Sequence, residues 1–148
     1  MAIGRKIGLI LLGFWCACPA QAQLHSVFLD QLSVDDGLSQ SSVSCVLKDS
    51  QGFMWFGTAD GLNQYDSHQF IHHKHNPFDS TTISNDHVLC LYEDSKQNIW
   101  VGTTDGLNRY DRIAKRFVRY DHQFQKTQKH PIYAVGAIHE DRWHTLWV

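Results

Sequence analysis

The sequence predicts an all-β fold: a β-propeller fragment of two complete four-stranded blades and the start of a third, preceded by a signal peptide. Three observations carry this reading. A long string, Phe53-Met54-Trp55-Phe56-Gly57-Thr58-Ala59-Asp60-Gly61-Leu62-Asn63-Gln64-Tyr65-Asp66, returns 45 positions later as Asn98-Ile99-Trp100-Val101-Gly102-Thr103-Thr104-Asp105-Gly106-Leu107-Asn108-Arg109-Tyr110-Asp111. The match extends upstream, where Val43 to Asp49 aligns with Val88 to Asp94. A third copy opens at Val135 to Asp141, and its Trp147-Val148 answers Trp100-Val101 at an offset of 47. A period of about 40–50 residues, with Trp and Gly in strand-like surroundings, is the pattern of propeller blades. A sandwich also has many short strands, but it does not repeat a near-identical string at a fixed interval. The last copy stops where Gly-Thr should follow, so the sequence is expected to be the front part of a longer protein.

Residues 1–22 read as a signal peptide. Arg5 and Lys6 precede an apolar run from Ile7 to Cys18, Pro19 breaks it, and Ala20-Gln21-Ala22 fits a small-x-small cleavage site. The run is too short to cross a bilayer as a helix, which takes about twenty residues. Neither Cys16 nor Cys18 follows the Leu-small-small pattern of lipid attachment. Cleavage leaves 11 basic residues against 15 acidic ones, a formal charge of −4, with Cys45 and Cys90 as the only thiols. No basic patch stands out, which argues against a nucleic-acid partner. Two cysteines do not build a disulfide scaffold.

Residues 23–35 form an orphan outer strand, with Val27-Phe28-Leu29 resembling the fourth-strand material Gln69-Phe70-Ile71 and Arg116-Phe117-Val118. Such a strand closes a ring by completing the last blade. Blade one covers 36–75, a linker 76–86, blade two 87–121, a second linker 122–134, and the start of blade three 135–148.

Within each blade the first strand, Val43 to Lys48 or Val88 to Glu93, is nearly all apolar. That suits burial on both faces by neighbouring sheets. The second strand, Phe53 to Thr58 or Asn98 to Thr103, places Trp55 or Trp100 where a flat ring fills the space between sheets. Gly57 and Gly102 mark close approach of a neighbouring backbone. Asp60-Gly61 and Asp105-Gly106 suit two-residue type I′ hairpins. The third strands are Leu62 to Tyr65 and Leu107 to Tyr110. The fourth, Gln69 to His73 and Arg116 to Tyr120, are more polar, as befits a blade edge in water.

The pattern D-G-L-S, a polar turn, then W-F/V-G-T-x-D-G-L-N-x-Y-D closely resembles the two-component regulator propeller repeat. The residues that carry it are Trp55-Phe56-Gly57-Thr58 with Gly61-Leu62, and Trp100-Val101-Gly102-Thr103 with Gly106-Leu107. The resemblance spans residues 36–148. The third copy departs from the pattern in ending at Val148 and in carrying Trp143 in its turn. The resemblance implies propellers outside the inner membrane, commonly followed by a small β-sandwich, a membrane helix and a cytoplasmic histidine kinase or diguanylate cyclase module.

The chemistry-bearing residues favour structure over catalysis. No phosphate loop, G-x-S-x-G or H-E-x-x-H string is present, so no catalytic, cofactor or metal residue is assigned. Asp60 and Asp105 are turn residues. His72, His73 and His75 are the only local histidine cluster. Alternation puts His72 and His73 on opposite strand faces, which favours an exposed edge strand over a metal site. Cys45 and Cys90 occupy equivalent positions in adjacent blades, where the third copy has Ala137. Two buried free thiols are expected, since bridged Cα atoms must lie within roughly 7 Å and packed sheets sit about 10 Å apart. Trp55, Trp100 and Trp147 share one repeat position, which argues for packing over sugar stacking. Ligand contacts are expected from loops that differ between blades: Gln40 to Ser42, Thr81 to Asp86 or Gln128 to Pro131, with no choice among them.

The functional expectation is a periplasmic ligand-sensing segment of a two-component or cyclic-di-GMP receptor, itself not an enzyme. Its partners would be a small-molecule or glycan ligand, the C-terminal blades of the same chain and, in a receptor dimer, a second copy. The parent would be anchored in the inner membrane. The alternative is a secreted propeller that binds glycans or proteins without signalling output.

Overall fold

A computed structural model describes residues 30–120 and 134–148. The signal peptide, residues 23–29 of the orphan strand and the candidate loop Gln128 to Pro131 lie outside the described residues. Residues 30–35, also assigned to that orphan strand, are in no strand, and Val34 and Asp35 belong to a 3-10 turn.

Among the described residues, ten strands follow a short 3-10 turn, Val34–Asp36: β1 Val43–Lys48, β2 Met54–Thr58, β3 Gly61–Tyr65, β4 Phe70–His73, β5 Val88–Glu93, β6 Ile99–Thr103, β7 Gly106–Asp111, β8 Arg116–Tyr120, β9 His139–Glu140 and β10 Leu146–Trp147. β1 to β4 make one four-stranded antiparallel sheet in chain order, and β5 to β8 a second. β9 and β10 pair as the first two strands of a third. The repeat in sequence is a repeat in register: Val46 opposes Phe56 as Leu91 opposes Val101, and both first strands carry an irregularity before the cysteine. This is the predicted arrangement of two complete blades and the start of a third.

The sheets share one core. Trp55, Leu62, Ile83, Val88, Ile99, Val101, Tyr110 and Phe117 form a single buried cluster drawn from both blades and the linker between them. Each such side chain contributes about 1.5–3 kcal/mol by leaving water. The blades therefore stabilise one another through a shared interface, as neighbouring units do in other repeat architectures.

Two local expectations are corrected. The hairpins are not type I′. Only Gly61 and Gly106 have positive φ, at 105° and 101°, while the aspartates before them do not. The loops are Ala59-Asp60 and Thr104-Asp105, and each glycine opens the next strand opposite a threonine. That threonine holds the turn. Thr58 Oγ1 accepts from Asp60 N–H (3.0 Å) and donates to Gly61 O (2.9 Å), and Thr103 repeats both bonds. The glycine takes the left-handed conformation of a bulge after the turn.

The second correction concerns the first strands. β5 is covered as expected, with Val88 fully buried. β1 is not: Val43, Val46 and Lys48 are all exposed. β5 lies against blade one, whereas no described residue covers this face of β1.

Candidate functional site

Buried side chains and polar contacts from both complete blades meet at the seam between them. Each blade first builds its own clasp. Six positions before each repeat tryptophan stands an aspartate that opens the turn between first and second strands. Asp49 Oδ1 accepts from Gln51 N–H (3.0 Å) and Phe53 N–H (2.9 Å), and Oδ2 accepts from the Trp55 indole (2.8 Å). Asp94 binds Lys96, Asn98 and Trp100 in the same way. Asp141 does so with Trp143, Thr145 and Trp147. Burial pushes the Asp49 carboxyl up, but hydrogen bonds from Trp55 and Arg112 outweigh it and hold the pKa below the ordinary value. The repeat tryptophans are thus fixed structural members. Trp55 is fully buried and Trp100 half-buried, while Trp147 stays exposed.

A second clasp seats the approach to each first strand. Ser39 N–H donates to Asn63 Oδ1 (3.0 Å), Asn63 Nδ2 donates back to Ser39 Oγ (2.9 Å), and Ser39 Oγ meets Thr58 Oγ1 at 3.1 Å. Ser84, Asn108 and Thr103 repeat this. Buried polar groups need such partners.

Three contacts, among others, hold the seam. First, the next blade's leading valine enters a glycine notch. A Cβ on Gly57 would stand 2.4 Å from Cys45 Sγ and 2.6 Å from Val88 Cγ1, and one on Gly102 would stand 2.4 Å from Val135 O. This is the close approach expected of these glycines. Secondly, a serine of one turn binds the glutamate ending the next first strand. Ser50 N–H and Oγ donate to Glu93 at 2.8 and 2.6 Å, and Ser95 does so to Glu140 at 2.7 and 2.7 Å. Thirdly, Arg112 ties both blades at the first seam. It donates to Asp49 (2.9 Å), Gln51 Oε1 (3.0 Å), Glu93 (3.0 Å) and Gln97 O (3.1 Å).

β4 is the edge strand of its sheet, with Ile71 and His72 exposed as expected, but the His73 side chain is not exposed. It is wedged into the seam, stacked on Trp55 (5.8 Å between centroids, 20°) and set against Tyr110 (5.4 Å) and Phe117 (5.3 Å). Its Nε2 is buried without a hydrogen-bond partner. Burial, and then the neighbouring His72, lower its pKa to about 4. The physical reason is its repeat position: His73 opposes Leu62 as Tyr120 opposes Leu107, so it fills an aromatic slot. His72 Nε2 instead meets Gly37 O (2.7 Å) and His75 Nδ1 meets Ile83 O (2.8 Å). The three imidazoles do not converge.

Cys45 and Cys90 are free and half-buried. Burial, helped by proximity to Cys90, pushes the Cys45 thiol up to about 11. Cys90 Sγ donates to Val135 O (3.3 Å).

Of the expected ligand loops, Thr81 to Asp86 is built into the seam. Ile83 and Ser84 are buried, Thr81 O accepts from Phe117 N–H (2.7 Å), and Thr82 Oγ1 accepts from Arg119 (2.6 Å). Gln40 Oε1 accepts from Ala59 N–H (3.1 Å), and Ser41 and Ser42 are exposed. A cleft of about 500 Å³ opens between the blades, lined by Phe53, Gln64, Ile71, His73, Tyr110 and Arg112 among others. Ring faces and amides there suit shape recognition of a small polar molecule.

The comparisons agree with this geometry. The two-component regulator propeller family matches residues 37–60 and 82–105. Histidine kinase P4 of Formosa agariphila is 42% identical over 82 residues, which cover 54% of this chain and 6% of that protein. The extracellular domain of the hybrid two-component system BT4673 of B. thetaiotaomicron superposes with a TM-score of 0.53 at 27% identity, over 71% of this chain and 14% of that one. A second structure of that extracellular domain, there described as part of a one-component system, gives 0.53 at 28% over the same shares. The chain thus spans a small part of each relative. Residues 37–60 and 82–105, one stretch in each complete blade, are two-component regulator propeller repeats.

Proposed function

We propose that this chain forms the leading blades of the extracytoplasmic sensor region of a signalling receptor, with a kinase or cyclic-di-GMP output in the longer protein. The observation that carries the reading is the repeat-for-repeat likeness to sensor proteins: 42% identity to a histidine kinase, and 27% to an extracellular domain of a hybrid two-component system. The N-terminal Arg5-Lys6, apolar run and Ala20-Gln21-Ala22 support export. The ligand is a small molecule or glycan. Among the described residues, the interior of the seams is occupied by structural clasps, which leaves the inter-blade cleft and the exposed loop at Ser41 and Ser42 to meet it.

The experiment is output from membranes carrying the longest natural form of the protein. Phosphoryl transfer from ATP and cyclic-di-GMP synthesis from GTP are measured across a panel of sugars and small metabolites. The proposal expects one output to change with one ligand class, and that response to vanish when residues 36–120 are deleted. A ligand bound with neither output present would instead identify a secreted binder.

A further inference from the structure

Three first strands can be compared at one register, and one differs. The face of each strand that meets the preceding blade carries a leading valine, an apolar residue and a terminal charged residue: Val88, Leu91 and Glu93 in β5, and Val135, Ile138 and Glu140 at the third blade. In both, the valine sits in a glycine notch and the glutamate takes two hydrogen bonds from a turn serine. β1 carries Val43, Val46 and Lys48 at the same positions. Val43 is 36% and Val46 is 54% exposed, and Lys48 is exposed with no partner among the described residues. The plug is kept while the charge is reversed.

We propose that this face of β1 docks a further blade of the same repeat type, from the same polypeptide, whose turn carries an aspartate or glutamate where Ser50 and Ser95 stand. Two features argue for that occupant. The face continues an interface already formed twice, down to the valine that fits a glycine notch. The chain also spans only 14% of a related extracellular domain, so the longer protein has room for more blades. A serine hydroxyl and backbone N–H both donate, and suit glutamate. An ammonium has three donors and no acceptor, so Lys48 needs an acceptor of opposite charge. Reversal at one seam alone also makes that seam distinguishable from the others, the way a charge pair selects one partner over its homologues. Lys48 is then the mark that selects the blade seated against β1.

The test is zero-length carbodiimide cross-linking of the longest natural form, mixed from unlabelled and nitrogen-15-labelled protein. The expected result is an amide joining Lys48 Nζ, within one chain, to an aspartate or glutamate five positions before the tryptophan of a Trp-x-Gly-Thr string. No cross-link from Lys48 overturns the proposal. So does a cross-link between unlabelled and labelled chains, which would make the occupant a second copy, or one to a carboxylate outside such a turn. Lys48→Glu should abolish the cross-link and lower Tm, whereas Lys96→Glu, in an exposed turn, should do neither. An unchanged Tm in Lys48→Glu counts against the ion pair.

Discussion

Ser50 and Glu93 lie 43 positions apart in sequence and meet across the seam between the first two blades, with Ser50 donating both its N–H and its hydroxyl to one carboxylate. Ser95 and Glu140 repeat the contact one blade on. Docking of successive blades is thus written twice in the same residues. A double-mutant cycle with Ser50→Ala and Glu93→Gln should give a coupling energy of about 1 kcal/mol in urea unfolding. Additive effects would mean that the contact does not hold the seam.

Gly57 is required by what it admits. A methyl group there meets Cys45 Sγ at 2.4 Å and Val88 Cγ1 at 2.6 Å. Gly57→Ala should destabilise by about 1–3 kcal/mol through overpacking. Adding Val88→Ala should recover part of that loss. If Gly57→Ala is neutral in thermal melting, the notch is not a packing constraint.

Asp49 is the buried hub of the first turn, with two backbone N–H groups, the Trp55 indole and Arg112 all directed at it. Asp49→Ala strands the backbone N–H groups and the indole, while Arg112 keeps Glu93, and should cost about 3 kcal/mol. Trp55→Phe removes one donor and the larger ring, leaving the carboxylate with its other partners, and should cost less. Chemical denaturation of the two variants checks the order, and the reverse order would contradict the role given to Asp49.

His73 makes stability depend on pH. Its pKa falls from 6.5 to about 4 on folding, because burial disfavours the imidazolium. The unfolded chain therefore binds the proton more readily. The stability is fully present above pH 6.5 and is lost as pH falls towards 4, by at most about 3 kcal/mol. His73→Phe should flatten that part of the pH profile, since Phe fills the same aromatic slot without titrating. An unchanged profile in the variant would place the titration elsewhere.

The repeat made the fold legible. The two complete blades and the start of a third, their strand order and the glycine notches all follow from residues recurring 45 or 47 positions apart. The Asp–Trp and Ser–Asn–Thr clasps were also written in the repeat. They escaped notice because Asp49, Ser39 and Asn63 are residues that turns and loops use freely, and only the fold shows which partner each finds. The type I′ expectation failed because dipeptide preference ignores the threonine two positions earlier. His73 was misplaced because its residue type suggests an edge, whereas its repeat position, shared with Tyr120, assigns an aromatic slot. Arg112 had no repeat signal at all, since the equivalent position in blade one is Ser67. The loops that would meet a ligand differ between blades by their nature, so periodicity carries no information about them.

The central claim, that these blades stand outside the cytoplasm, is tested most directly by cysteine labelling in intact cells. Ile113, 97% exposed at the tip of the β7–β8 hairpin, is replaced by cysteine. Cys45 and Cys90 are replaced by alanine, the residue at the same position of the third copy. A maleimide that crosses a permeabilised outer membrane but not the inner one should label Ile113→Cys in whole cells. Labelling only after lysis would place the blades in the cytoplasm and contradict the account.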